Sequence, residues 1–198
     1  MDVKQVHSFI KIKHTLFSLP FVLIGDILAH NELVATDTSG VFSWIAVELL
    51  WILLAAIGAR GLAMGLNRII DRQVDADNPR TAGRHLASGS MSIGTAWSLC
   101  GVFLVMLLGS AAMLNQVALL MAWLPVSVFV VYPFLKRYTW LCHFWLGLCL
   151  GLAPAGAWVA IAADSLGWAS ITDTGWYPGI FFIALGVALW IAAFDLNY

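Results

Sequence analysis

Asn67, Asp71 and Asp75 stand at i, i+4 and i+8 within NRIIDRQVDADNPR, residues 67–80. On a helix this spacing keeps the three side chains on one face, each about 6 Å further along the axis. Two carboxylates one turn apart repel by roughly 0.3 kcal/mol in water and by more where the dielectric falls, unless a cation lies between them. Oxygen donors of this kind suit Mg²⁺, which keeps several waters and is held by one or two carboxylates together with substrate phosphates. The spacing therefore points to a Mg²⁺-diphosphate site. It leaves a second reading open, in which residues 71–84 are a solvated loop whose arginines only follow membrane topology.

Arg60 adds to the pattern. An arginine inside an apolar run is costly and faces a partner or a wet cavity, and the eleven residues from Arg60 to Asp71 bring it back to nearly the same azimuth. Cations able to receive a diphosphate lie on the same side. Arg72, Arg80 and Arg84 follow the acidic positions, and Lys136 and Arg137 come one turn after Tyr132. Arginine grips phosphate oxygens in pairs, while lysine acts as a point charge. Asp195, in the terminal FDLNY, is one more carboxylate at the end of an otherwise uncharged run. The histidines, His143 among them, have no second ligand at metal spacing, so none is assigned to a metal.

The elements that must carry these residues follow from composition. Of the 198 residues 61% are hydrophobic and 11% charged, against roughly a quarter charged in an ordinary soluble domain. Runs near the roughly 20 residues needed to cross a bilayer recur at Thr15–Ala29, Val41–Ile70, Met91–Leu114, Gln116–Leu135, Trp140–Ala163 and Tyr177–Tyr198. Only helices satisfy every backbone group in hydrocarbon at such lengths. The fold class is thus all-α, a polytopic membrane bundle of six spans in a single domain over 1–198.

Alternating the loops places Lys4, Lys11, Lys13, Arg68, Arg72, Arg80, Arg84, Lys136 and Arg137 on one side and Glu32, Asp37, Asp164 and Asp173 on the other. By the positive-inside rule the basic side, with the N-terminus, faces the cytoplasm. The N-terminus lacks the pattern of a cleavable signal peptide, so the first span stays as an anchor. Cys100, Cys142 and Cys149 lie in or beside apolar runs without disulfide or metal spacing. The net charge of −1 says little in such a chain; the partner expected from the apolar runs is a lipid bilayer, with no nucleic acid.

Three segments resemble the UbiA superfamily of membrane prenyltransferases, specifically its 4-hydroxybenzoate polyprenyltransferase-like branch. They are NRIIDRQVDADNPRTAGRHLASG at 67–89, YPFLKRYT at 132–139 and FDLNY at 194–198. The first is similar to the family's Asn-x-x-x-Asp-x-x-x-Asp motif. Arg68, where many members carry Asp, resembles a bacterial subgroup that includes menaquinone-pathway enzymes.

The resemblance implies Mg²⁺-dependent transfer of a polyprenyl group from its diphosphate to an aromatic acceptor in quinone biosynthesis, at the cell inner membrane. It assigns Asn67, Asp71 and Asp75 to Mg²⁺, and Arg72, Arg80, Lys136 and Arg137 to the diphosphate. Asp195 and Arg60 are placed at the aromatic substrate, with Tyr132 and Tyr198 in the pocket. The family has roughly nine helices and a second Asp-rich motif beginning a few residues after the position matched by Asp195. The sequence is therefore expected to be the N-terminal two-thirds of such an enzyme, with little activity alone. Two other readings stand beside it: a remnant that binds prenyl diphosphate without turnover, and a transporter lined by Arg60 and Asp195. No internal symmetry supports the last.

Overall fold

The computed structural model describes residues 12–33, 41–172 and 178–197, with side chains from 17 in the first stretch and from 46 in the second. The expectations for Lys4, Lys11, Asp37, Asp173, Tyr198 and the Lys13 side chain fall outside these residues.

The chain forms α1 (Ile12–Leu33), α2 (Val41–Ile70), α3 (Arg72–Asp77), α4 (Ile93–Leu114), α5 (Gln116–Met121), α6 (Trp123–Tyr138), α7 (Cys142–Leu166), α8 (Ala169–Thr172) and α9 (Pro178–Leu196). Among the described residues five stretches are long and apolar enough to cross a membrane: Ala46–Ile70, Ile93–Leu114, Gln116–Tyr138, Cys142–Leu166 and Pro178–Leu196. They match the last five expected spans to within a few residues. The remaining one, Thr15–Ala29, falls inside α1.

The boundaries have local causes. Ser92 caps α4 by accepting from the Thr95 N–H at 3.1 Å. Asn115 turns the chain between α4 and α5: its Oδ1 accepts from the Ala118 N–H at 2.7 Å, and its Nδ2 donates to the Ala160 carbonyl of α7 at 2.8 Å. The fourth expected span is interrupted at Ala122 rather than continuous. Pro125 explains this, since a residue without an N–H is tolerated in the first turn of a helix and not in its interior. Gly167, at φ 55°, ends α7 in the left-handed region.

Lipid tails are as apolar as Leu, so close packing rather than hydrophobic burial brings membrane helices together. Two seams show it. A Cβ on Gly58 of α2 would lie 2.7 Å from the Leu107 nitrogen of α4, and one on Gly147 of α7 would lie 2.1 Å from the Ala188 carbonyl oxygen of α9. Around the first seam Leu62, Leu66, Ala96, Leu99 and Phe103 form one core cluster. Val22, Ile52, Trp158, Ile161 and Ile180 form a second, where α7 meets α1 and α9. The helices so arranged bring the C-terminal ends of α2, α6 and α9 and the N-terminal end of α7 to one end of the bundle.

Candidate active site

The Asn67-Asp71-Asp75 ladder straddles a helix break. Asp71 N–H still bonds the Asn67 carbonyl at 3.0 Å and Asp75 N–H the Asp71 carbonyl at 2.8 Å. Asp71 itself takes φ −88° and ψ 3°, the bridge region between helix and strand. The single continuous helix expected over 67–75 is thus two helices. The reason lies at Ile70, whose carbonyl accepts from Arg137 Nη2 at 2.8 Å. An inserted side chain of this kind is a recognised cause of a helix break.

Asp71 is the most buried charge of the site, 1% exposed, and two cations meet it there. Lys136 Nζ donates to Asp71 Oδ2 and, at 3.2 Å, to Asn67 Oδ1. Arg137 Nη2 donates to Asp71 Oδ1 at 3.1 Å. A carboxylate removed from water must be paired in this way, because an isolated buried charge costs several kcal/mol or more.

Asp75 is turned elsewhere. Arg84 Nη1 donates to both of its oxygens at 2.8 Å, and the Thr81 hydroxyl donates to the Asp75 carbonyl at 2.9 Å. These bonds fold the loop after α3 back onto the end of α2. The structure thus joins Asn67 and Asp71 to Lys136 and Arg137, and leaves Asp75 outside that cluster. Arg72 is half-buried and Arg80 exposed. Neither side chain pairs with a described residue, so both cations remain available beside the cluster.

A cavity of about 320 Å³ runs from this end into the bundle. Arg60, Asn67 and Tyr132 line its polar end, and Val22, Ile52, Leu114, Ala118 and Ala160 its apolar reach. About 22 Å of helix axis separates Asn67 from Ile52, a length suited to an extended hydrocarbon chain. Arg60 has neither a hydrogen bond nor an ion pair among the described residues. Its nearest electrostatic neighbours are Cys149 and Tyr132. A guanidinium so placed has the charge and donor geometry to suit an anion.

Tyr132 lines this cavity, and its ring centroid is 6.0 Å from Lys136 Nζ, the ammonium that bonds Asp71. Asp195 accepts a 2.7 Å hydrogen bond from His143 Nδ1. Sequence reading gave His143 no role and counted Arg84 only among the cations able to receive a diphosphate. Each finds its carboxylate only through the fold, since 52 residues separate His143 from Asp195.

Among the described residues no group of three or more His, Cys, Asp and Glu is arranged to hold a metal ion. The donor set nonetheless fits Mg²⁺ in its substrate-assisted mode. Asn67 Oδ1 and Asp71 Oδ2 already converge on one cation, the Lys136 ammonium, and hard oxygens that share a cation are the protein's portion of such a site.

Comparison with known proteins gives a consistent result. The family model of the UbiA prenyltransferase family matches residues 18–198. The 4-hydroxybenzoate octaprenyltransferase of Haemophilus ducreyi is 31% identical over 150 residues, 76% of this chain and 50% of that protein. The protein of the same name from Psychrobacter arcticus is 31% identical over 93% of this chain and 55% of its own length. The chain therefore spans about half the length of these relatives. Among solved structures, the apo UbiA homologue from Aeropyrum pernix superposes with a TM-score of 0.76 at 32% identity, over 93% of this chain and 62% of that one. A UbiA homologue from Archaeoglobus fulgidus bound to GPP and Mg²⁺ shares the fold at a TM-score of 0.54 and 18% identity, over 96% of this chain and 74% of that one.

Proposed function

The chain belongs to the UbiA prenyltransferase family, and from that membership we propose that it carries the diphosphate-binding half of an enzyme that transfers a prenyl group from its diphosphate to an aromatic acceptor. The observation that carries the proposal is the junction of Asn67, Asp71, Lys136 and Arg137 at the mouth of a long apolar cavity. Such a junction suits a ligand with a highly charged head and a hydrocarbon tail.

In this reading Asn67, Asp71 and Asp75 would hold Mg²⁺. When bound, the ion neutralises diphosphate charge and favours departure of the leaving group. Lys136, Arg137, Arg72 and Arg80 take up the negative charge that develops as the allylic carbon–oxygen bond breaks. The prenyl tail lies along Ile52, Leu114 and Ala118, where water is excluded from the allylic cation. Tyr132 presents a ring face to that cation. Arg60 receives the acidic group of the aromatic ring, consistent with its having no hydrogen bond or ion pair among the described residues.

The remaining elements of the reading are a single membrane-embedded unit, the basic end of the bundle facing the cytoplasm, and residence in the cell inner membrane. The named relatives act on 4-hydroxybenzoate, and this acid or a menaquinone precursor is the proposed acceptor. Membranes containing the full gene product, given geranyl diphosphate, Mg²⁺ and 4-hydroxybenzoate or another hydroxylated aromatic acid, should form a C-prenylated product. Asp71→Ala and Lys136→Met should each abolish most of it. Product formation undiminished in both variants would remove the site from the reaction.

A further inference from the structure

One polar pair at the same end of the bundle is unexplained by diphosphate chemistry. His143, in the first turn of α7, and Asp195, in the last turn of α9, are joined by the 2.7 Å contact between Nδ1 and Oδ2. An ionised carboxylate oxygen only accepts, so the shared proton belongs to Nδ1, and the lone pair of the neutral ring is then on Nε2. Nε2 makes no hydrogen bond to any described residue. A carboxylate that fixes the tautomer and orientation of an imidazole, leaving the other nitrogen free, is the arrangement by which histidine serves as a general base.

The pair lies near residues that line the polar end of the cavity. Leu146, one turn beyond His143 on α7, lines the cavity, as does Tyr132. Tyr132 lies 6.0 Å from the ammonium of Lys136, which itself bonds Asp71. The Lys136–Asp71 pair with Tyr132, and the His143–Asp195 pair, thus lie at the same end of the bundle. The His143 and Asp195 side chains are 27% and 35% exposed.

We propose that His143 Nε2 accepts the proton released when the aromatic ring is prenylated, with Asp195 as its positioning residue. The inference rests on the prenyl-transfer reading. In the step itself a ring carbon beside the hydroxyl gives an electron pair to the prenyl C1, and the C1–oxygen bond breaks with its pair going to the diphosphate. The hydrogen on the substituted ring carbon then leaves as a proton to Nε2, and its bonding pair restores the aromatic ring. The imidazolium formed is stabilised by Asp195 and returns the proton to water. No oxidant or reductant is required.

The test uses membranes containing the full gene product, with geranyl diphosphate and a hydroxylated aromatic acid. His143→Gln keeps a hydrogen-bond donor for Asp195 but has no basic nitrogen. Its kcat should fall by about 100-fold or more, with the KM for geranyl diphosphate unchanged. Added imidazole should restore part of the rate of His143→Ala and none of that of His143→Gln. Wild-type kcat in His143→Gln would overturn the proposal, as would a loss in His143→Ala that imidazole does not relieve. Absence of any prenylated product from the wild type would overturn the prenyl-transfer reading first, and this inference with it.

Discussion

Lys136→Met tests the core of the site, because it removes the cation shared by Asn67 and Asp71 while keeping the length of the side chain. Asp71 is 1% exposed and would be left with Arg137 alone. Complete removal of the partners of a buried charge costs about 3–5 kcal/mol. One cation remains, and the Lys136 side chain is 30% exposed, so the loss should be nearer that of one charge-assisted hydrogen bond, about 1.5–3 kcal/mol. Reversible unfolding of the detergent-purified protein would measure it, with Asp71→Asn and the double variant completing the cycle. The two single changes should couple by about 1–3 kcal/mol. Mg²⁺ supplies the sharper arm. With the ammonium gone, Asn67 Oδ1 and Asp71 Oδ2 are free to share a metal ion, so added Mg²⁺ should stabilise Lys136→Met more than wild type. A tenfold tighter site adds about 1.4 kcal/mol at saturating metal. Equal stability of variant and wild type without metal, or equal stabilisation of both by Mg²⁺, would refute the reasoning.

Further outcomes follow from single side chains. Arg60→Leu should raise the KM for an acidic aromatic acceptor by about 10- to 100-fold, the worth of a charge-assisted hydrogen bond. It should leave stability unchanged or improved, because Arg60 pairs with no described residue; steady-state kinetics and unfolding on one preparation check both. Gly156 lines the cavity, and a Cβ there meets nothing within 4 Å. Gly156→Phe should therefore fold and shift preference toward shorter prenyl diphosphates in competition assays. Gly147→Ala places a Cβ 2.1 Å from the Ala188 carbonyl oxygen and should destabilise the α7–α9 seam by about 1–3 kcal/mol, as measured by loss of resistance to denaturant in detergent.

The spans were legible because length and apolarity alone compel a helix in hydrocarbon, and α2 runs over the residues expected of it. The break at Ala122 is also readable in hindsight, from Pro125 placed nine residues after Gln116. In the site, local spacing succeeded where local geometry decides: Asn67 and Asp71 share a face and a cation. At Asp75 the fold adds what spacing does not show: the loop after α3 returns Arg84 to that carboxylate, and no helical periodicity encodes a loop's return. Lys136, Arg137 and His143 illustrate the same limit in another form. Their types and their end of the membrane can be read from the sequence, but their partners lie 52 or more residues away. Only the packing of α6 against the end of α2, and of α7 against α9, supplies those pairings.

The most direct measurement is the equilibrium binding of geranyl diphosphate to the purified full gene product, with and without Mg²⁺, beside Asp71→Ala and Asp71→Ala/Asp75→Ala. Saturable binding that requires Mg²⁺ in the wild type and is lost in both variants is the expected result. Equal binding in wild type and variants, or binding indifferent to Mg²⁺, would contradict the assignment of the Asn67-Asp71-Lys136-Arg137 cluster to the metal-diphosphate head.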